Sequence, residues 1–226
     1  MLAGIDEAGR GPVLGPLVVA GVACPDPNVL LAMGCTDSKA LTPGKREMLD
    51  RKIRGHADVR VEVRVIPADV LDDERRRSTL NAIEVERFQD IARALGAPRI
   101  IVDAADVDAR RFGRQVASGL MDVVVVSEHK ADETHVVVGA ASIVAKVARD
   151  AAIAELGRRL ERRLGMPLGS GYASDPLTQA FLREWHTQFG DLPEGTRKSW
   201  ATIRDLLAPQ PTRLDDFSSE SAIRQP

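Results

Sequence analysis

Five apolar runs, rich in valine and isoleucine, constrain what this chain can fold into. LAGID (2–6) comes first and ends in charge. PLVVAGVAC (16–24) follows Gly-Pro punctuation and reads as a buried strand. VRVEVRVIP (59–67) alternates apolar and charged residues with a period of two, as a half-exposed strand does. PRIIVDA (98–104) and DVVVVSE (122–128) read as two further buried strands. The first three predict an antiparallel meander. The later alternation of strand and helix predicts parallel strands added to the same sheet. The expected fold is α/β, with a mixed five-stranded sheet flanked by helices.

Helix signals lie between and after these runs. Thr42 is placed to cap a helix whose first residue is Pro43. Ser78 is expected to cap the next helix, STLNAIEVERFQDIARALG, in which Leu80, Ile83, Ile91 and Leu95 lie near one face and Gly96 is a stop signal. Residues 108–119 read as helical, and a long helix is predicted from about Val136 to Leu164. The loop GMPLGSGYASDP (165–176) then separates it from two amphipathic helices, 176–189 and 196–207. The tail PQPTRLDDFSSESAIRQP has little to bury, and disorder is expected there.

Acidic residues fall at the ends of three strands. Asp6 and Glu7 close the first, Asp103 closes IIVDA, and Asp132 follows DVVVVSE, just before the long helix. Ligands gather at the carboxyl ends of parallel strands. Asp6 and Glu7 should point to opposite faces of a regular strand, so both reach one site only if the chain bends between or after them. The glycines that follow permit that bend. Clustered carboxylates repel unless a cation sits among them, and an oxygen-only set suits Mg²⁺ or Mn²⁺ rather than zinc. His129 and His135 flank Asp132, but without a zinc-binding spacing they read as polar surface residues.

The 226 residues, 44% of them apolar, suit one large domain or one with a small appendage. A net charge of -2 excludes a global basic footprint, so a nucleic-acid partner needs a local patch. Val137 to Arg204 has a weak basic excess, which on charge alone is a solvated helix face. Cys24 and Cys35 are too few for a disulfide framework and fit a reducing compartment. With no signal-like start and no run of transmembrane length, the chain reads as soluble and cytoplasmic.

Several motifs together resemble one family. They are GIDEAGRGPVLGPLVVAGV, TDSKALT (36–42), IIVDA, EHKADETHVVVGAASIVAKVARD (128–150) and GSGYASDP (169–176). Their order and content are similar to the type 2 ribonucleases H, ribonuclease HII. RKSWAT (197–202) is most similar to the single-chain archaeal form. The resemblance implies a ribonuclease H-like fold with a C-terminal helical region. It divides the chain into a catalytic domain at 1–164, a helical region at 165–207 packed on it, and the tail at 208–226. It implies a monomeric endonuclease that uses Mg²⁺ or Mn²⁺, two ions with substrate bound. Such an enzyme cuts the RNA strand of RNA–DNA hybrids, and duplex DNA at embedded ribonucleotides, leaving 3′-hydroxyl and 5′-phosphate ends.

By the same resemblance Asp6, Glu7, Asp103 and Asp132 are the metal-binding catalytic set. Gly9, Arg10 and Gly11 bring backbone to the ribose 2′-hydroxyl, and Tyr172 stacks on the following sugar. Lys39, Ser142 and Lys146 match phosphate contacts. Asn81 and Ser78 match contacts to the DNA strand, with helix capping the equal alternative for Ser78. Ala173 departs from the family, which often has proline there.

Two further readings compete. One is a two-metal nuclease of the same fold acting on DNA junctions. The other is a hybrid-binding protein without catalysis, against which the complete carboxylate set argues. GRGPVLG is not a nucleotide-binding loop, because no Gly-Lys-Ser/Thr follows it. QPTRLDDF (210–217) resembles a degenerate sliding-clamp-binding peptide. Leu214 and Phe217 fit, but Gln210 stands one residue early and Ser218 replaces the second aromatic. A plain disordered tail is the alternative.

Overall fold

The computed structural model describes residues 1–35 and 41–207. Lys39 and the 208–226 tail, with its clamp-like peptide, lie outside the described residues. Five strands form one sheet: β1 (Leu2–Ala8), β2 (Leu17–Cys24), β3 (Arg60–Ile66), β4 (Arg99–Asp103) and β5 (Val124–Glu128). Their order is β3-β2-β1-β4-β5. β1–β2 and β2–β3 are antiparallel, and β1–β4 and β4–β5 are parallel. This is the expected mixed sheet. β2 is buried along its whole length, whereas β3 alternates charge on an edge, which discourages pairing with another chain.

β2 and β3 are neighbours without a short link. Two helices, α1 (Asn28–Met33) and α2 (Pro43–Gly55), lie between them in sequence. Thr42 caps α2 as expected, its side chain accepting from the Lys45 amide at 3.4 Å. α3 (Ala68–Arg75) follows β3, and α4 (Leu80–Leu95) follows α3. The cap of α4 is Thr79 rather than Ser78: its hydroxyl accepts from Ala82 N at 3.2 Å. The Ser78 amide is already bonded back to the Glu74 carbonyl, so Ser78 closes the preceding turn.

α5 (Ala109–Ser118), α6 (Ala131–Thr134), α7 (Val136–Leu164), α8 (Pro176–Phe189) and α9 (Ala201–Leu207) complete the described elements. α9 begins at Ala201 rather than 196. Residues 196–200 instead form a turn, with Thr196 bridged to Leu14 and the Lys198 and Ser199 amides donating to the Asp72 carboxylate.

The sheet is covered on both faces. α7 packs on one, joining Val137, Val138, Ala141 and Val144 to Val18, Ala20, Val22 and Ile101. Gly4 lets it approach: a Cβ there would lie 2.4–2.5 Å from the Val137–Val138 backbone. α4 and α5 cover the other face, where Ile83, Phe88, Ile91 and Phe112 meet Ile5, Val19, Ile100 and Val102. Each large apolar side chain so buried contributes about 1.5–3 kcal/mol. Phe88 and Phe112 meet edge to face, centroids 5.2 Å apart. A third cluster joins the C-terminal half of α7 and α8 to Val13 and Leu14, through Leu156, Leu160, Phe181 and Trp185. No described helix is long and apolar enough to cross a membrane.

Candidate active site

The strand register brings the carboxylates together. β1 pairs with β4 only from Leu2↔Arg99 to Ile5↔Val102, so Asp6 follows directly where Asp103 closes β4. β4 continues to Asp103, opposite Glu128 of β5. Beyond Ile5, β1 outruns β4 and opens the sheet at its carboxyl edge. Asp6 lies on the α7 side, where the Ser142 hydroxyl bonds it, and Glu7 is turned towards Glu84 of α4. The two do face opposite ways, and β1 stays regularly paired through Ala8↔Val18. The bend comes after them, at Gly9, whose φ is +80°. Asp132 is buried in α6, and the Ala131 amide donates to Asp103 Oδ1 at 2.9 Å. Asp6, Glu7, Asp103 and Asp132 thus line one open cleft of about 440 Å³.

Burial outweighs the compensating charges for two of the carboxylates in this cleft. Burial pushes the Asp6 carboxyl up to about 7, with Asp103 adding and the Ser142 hydroxyl opposing. Burial, then the charges of Asp6, Glu84 and Asp103, raise Glu7 well above the usual carboxylate range, and Arg10 opposes. Glu7 Oε2 is buried with no hydrogen-bond partner among the described residues. Crowded, desolvated carboxylates with an orphaned oxygen suit a hard divalent cation. Among the described residues no three acidic, histidine or cysteine side chains form a ready-made cage for it. An ion such as Mg²⁺ takes only one or two protein carboxylates and completes its shell with water and phosphate.

The glycine-arginine-glycine loop and the tyrosine line the same cleft. The Arg10 side chain is fixed, with Nε donating to Glu84 Oε1 at 2.9 Å and Nη2 to Asn81 Oδ1 at 2.5 Å. Glu84 is fully buried, and burial raises it to about 7 against the pull of Arg10. Tyr172 is 40% exposed, with the Arg149 guanidinium 5.1 Å from its ring centroid. The Gly171 carbonyl accepts from the Val13 and Leu14 amides, tying the tyrosine loop to the glycine loop. Gln179 donates to the Ala173 carbonyl at 2.6 Å, so this loop is held without a proline.

A family model described as Ribonuclease HII matches residues 3–203. The chain belongs to the ribonuclease HII family. A ribonuclease HII from Methanothrix thermoacetophila is 46% identical over 213 residues, 92% of this chain and 98% of that one. A structure of the PCNA–ribonuclease HII complex from Archaeoglobus fulgidus superposes with a TM-score of 0.83 at 43% identity, covering 96% of this chain and 100% of that one. A Bst ribonuclease HIII in complex with Mn²⁺ shares the fold, with a TM-score of 0.74 at 23% identity over 92% of this chain and 69% of that one. This chain is accordingly a ribonuclease H, an endonuclease of the hydrolase class that acts on RNA–DNA hybrids. Ribonucleases H depend on a divalent metal ion.

The remaining residues expected from the sequence fall differently. Lys146 lines the cleft and donates to Ser142 Oγ at 2.8 Å. Ser142 is fully buried beneath Asp6, a position that orients a carboxylate. Asn81 bridges Arg10 and Asp106, donating to Asp106 Oδ2 at 2.9 Å. Ser78 lines a separate hollow with Val70 and Arg77. His129 and His135 bond the Val107 carbonyl and Glu128, outside the cleft lining. Sequence reasoning missed Arg46, Arg149 and Glu84. The arginines line the cleft, and each has a buried Nε without a partner among the described residues. Arg46 stands four residues past the Thr42 cap, a position that puts it on the first turn of α2.

Proposed function

We propose that this ribonuclease H hydrolyses the RNA strand of hybrids, and nicks duplex DNA at embedded ribonucleotides, through the cleft at the carboxyl edge of β1 and β4. One observation carries this reading: four carboxylates from three separate strand ends converge there, with a buried carboxylate oxygen left unpaired. Asp6, Glu7, Asp103 and Asp132 are the residues that would hold Mg²⁺ or Mn²⁺. Two such ions, when bound, activate water and stabilise the leaving oxygen of a phosphodiester. Asp6 is oriented for this by Ser142, and Ser142 in turn accepts from Lys146.

The other residues position the duplex. Lys146, Arg46 and Arg149 supply positive charge for phosphates, which fix register without reading sequence. Gly9, Arg10 and Gly11 meet the 2′-hydroxyl, the one group that separates ribose from deoxyribose. A site built to satisfy that hydroxyl rejects a substrate without it, because its own polar groups are then unpaired. Tyr172, exposed above Arg149, stacks on the next sugar. Residues 1–164 carry the chemistry, and 165–207 contribute Tyr172 and the packing around it. The protein works as a monomer. Both cysteines are buried free thiols, in keeping with the reducing cytoplasm. The clamp-like 210–217 peptide takes a sliding clamp as partner, as the relative from Archaeoglobus fulgidus does in its PCNA complex.

The test is cleavage of a duplex with a single ribonucleotide, with and without Mg²⁺ or Mn²⁺, mapping the cut to the nucleotide. Metal-dependent cutting at the ribonucleotide, with 3′-hydroxyl and 5′-phosphate ends, is expected. Asp103→Asn should abolish cutting while hybrid affinity stays within about threefold, because phosphate contacts carry most of the affinity. Full activity in that variant removes Asp103 from the catalytic set. Cutting of an all-DNA junction in preference to the ribonucleotide overturns the substrate assignment.

A further inference from the structure

Arg197 is fully buried and touches neither the carboxylates nor the open cleft. Among the described residues the three hydrogen bonds of its side chain all go to one loop: Nη2 to the Gly9 carbonyl at 2.5 Å, Nη1 to the Arg10 carbonyl at 3.0 Å and Nε to the Gly15 carbonyl at 2.9 Å. Trp200 lies against the guanidinium face, 5.0 Å away. A buried charge is costly unless its donors are satisfied, and burial depresses this guanidinium to about 10. A lipophilic residue would fill the same space without that cost. What arginine adds is a rigid planar fork that fixes several acceptors at once.

The consequence follows from peptide geometry. In a trans peptide the carbonyl of one residue and the N–H of the next point in opposite directions. No peptide in the described chain is cis. With the Gly9 and Arg10 carbonyls drawn inward to Arg197, the Arg10 and Gly11 amides are turned outward, to the side where these residues line the cleft. Neither amide has a protein acceptor among the described residues. The far side of the turn that carries Arg197 is pinned by Asp72, which accepts from Lys198 N at 2.7 Å and Ser199 N at 3.1 Å.

We propose that Arg197 is a positioning residue for ribose selectivity: it holds two peptide planes so that the Arg10 and Gly11 amides donate to the ribose 2′-oxygen. This rests on the reading that the Gly9–Gly11 loop meets the ribose. It adds a residue that acts from behind the loop, 188 positions away from Gly9 in sequence.

The experiment measures single-turnover cleavage by the full chain with Mg²⁺ on two duplexes. One carries a single ribonucleotide, the other a 2′-fluoro nucleotide at the same place, whose fluorine is a poor acceptor. Selectivity is the ratio of the two rates. Arg197→Lys should lower it about tenfold or more, because a misplaced contact slows only the substrate that uses it. Affinity for an all-DNA duplex should not change. An equal slowing of both substrates indicates a purely structural role and overturns the proposal, as does an unchanged ratio.

Gly11→Ala separates the two levels of the argument. Selectivity lost in Gly11→Ala but kept in Arg197→Lys removes the role of Arg197 alone. Selectivity kept in both removes the ribose reading of the loop as well. If Arg197→Lys does not fold, Asp72→Ala loosens the same turn from the surface. There a selectivity loss of about twofold or more is expected, and an unchanged ratio overturns the proposal.

Discussion

Gly9 and Gly11 stand two positions apart and answer to different demands. Gly9 has a φ of +80°, and a Cβ on it would lie 2.6 Å from the Pro16 carbonyl oxygen. Gly11 has no such backbone constraint, and a Cβ on it meets nothing within 4 Å. The fold therefore requires glycine at position 9 and is indifferent at 11. Gly9→Ala should destabilise by about 1–2 kcal/mol from its left-handed backbone alone, seen as a lower Tm. Gly11→Ala should keep its stability within about 0.5 kcal/mol. Its cleavage at an embedded ribonucleotide should nevertheless fall about a hundredfold, because a methyl group there holds the sugar away. Thermal melts beside single-turnover rates check both. A stable and fully active Gly11→Ala enzyme means that no substrate atom uses the open space.

Among the elements, α7 joins the core to the carboxylate cleft. Its first turn lies on Gly4, and further along it carries Ser142 and Lys146 to Asp6. Gly4→Ala would drive a Cβ into the Val137–Val138 backbone, which cannot swing aside as a side chain would. A cost of about 1–3 kcal/mol is expected from overpacking. A shift of about 1 Å in α7 relative to β1 should slow cleavage roughly a hundredfold. Measured rates should fall far more than stability explains at a temperature where the variant is folded; a rate within twofold of the parent means that α7 does not set the site.

The bounds of α7 were legible because its signals are local, with apolar turns from Val136 and a glycine stop at Gly165. α3 was not, because four of the eight residues in ADVLDDER are acidic and only Ala68 and Leu71 are buried. The carboxylates were legible as charges that interrupt apolar runs. Glu84, Arg149 and Arg197 were not. Arg149 and Arg197 lie in quoted motifs, but nothing local gives their roles, and the meaning of each of the three depends on partners from distant parts of the chain, such as Arg10 for Glu84 and Gly9 for Arg197.

At the scale of the whole molecule, the described contacts of the cleft are all made by residues ahead of 208. Every described residue that lines the cleft falls in the span from Asp6 to Tyr172. The loop behind it is bonded to Arg197, still ahead of residue 208. The third core cluster closes over Leu14, Leu156 and Trp185 and ends with Leu206. Removing residues 208–226 takes away none of these contacts. The truncated chain should therefore cut a single embedded ribonucleotide within about twofold of the full chain, as changes remote from a site usually do. Binding to duplex should weaken with salt along the same slope in both forms, because the cleft-lining cations Arg46, Lys146 and Arg149 are retained. Affinity for a sliding clamp should be lost with the tail, since Leu214 and Phe217 are its only apolar anchors of that pattern. Titrating a clamp against both forms decides the matter. Equal affinity in the two assigns any clamp contact to the folded body, whereas a truncated chain with impaired cleavage means that the tail reaches the substrate itself.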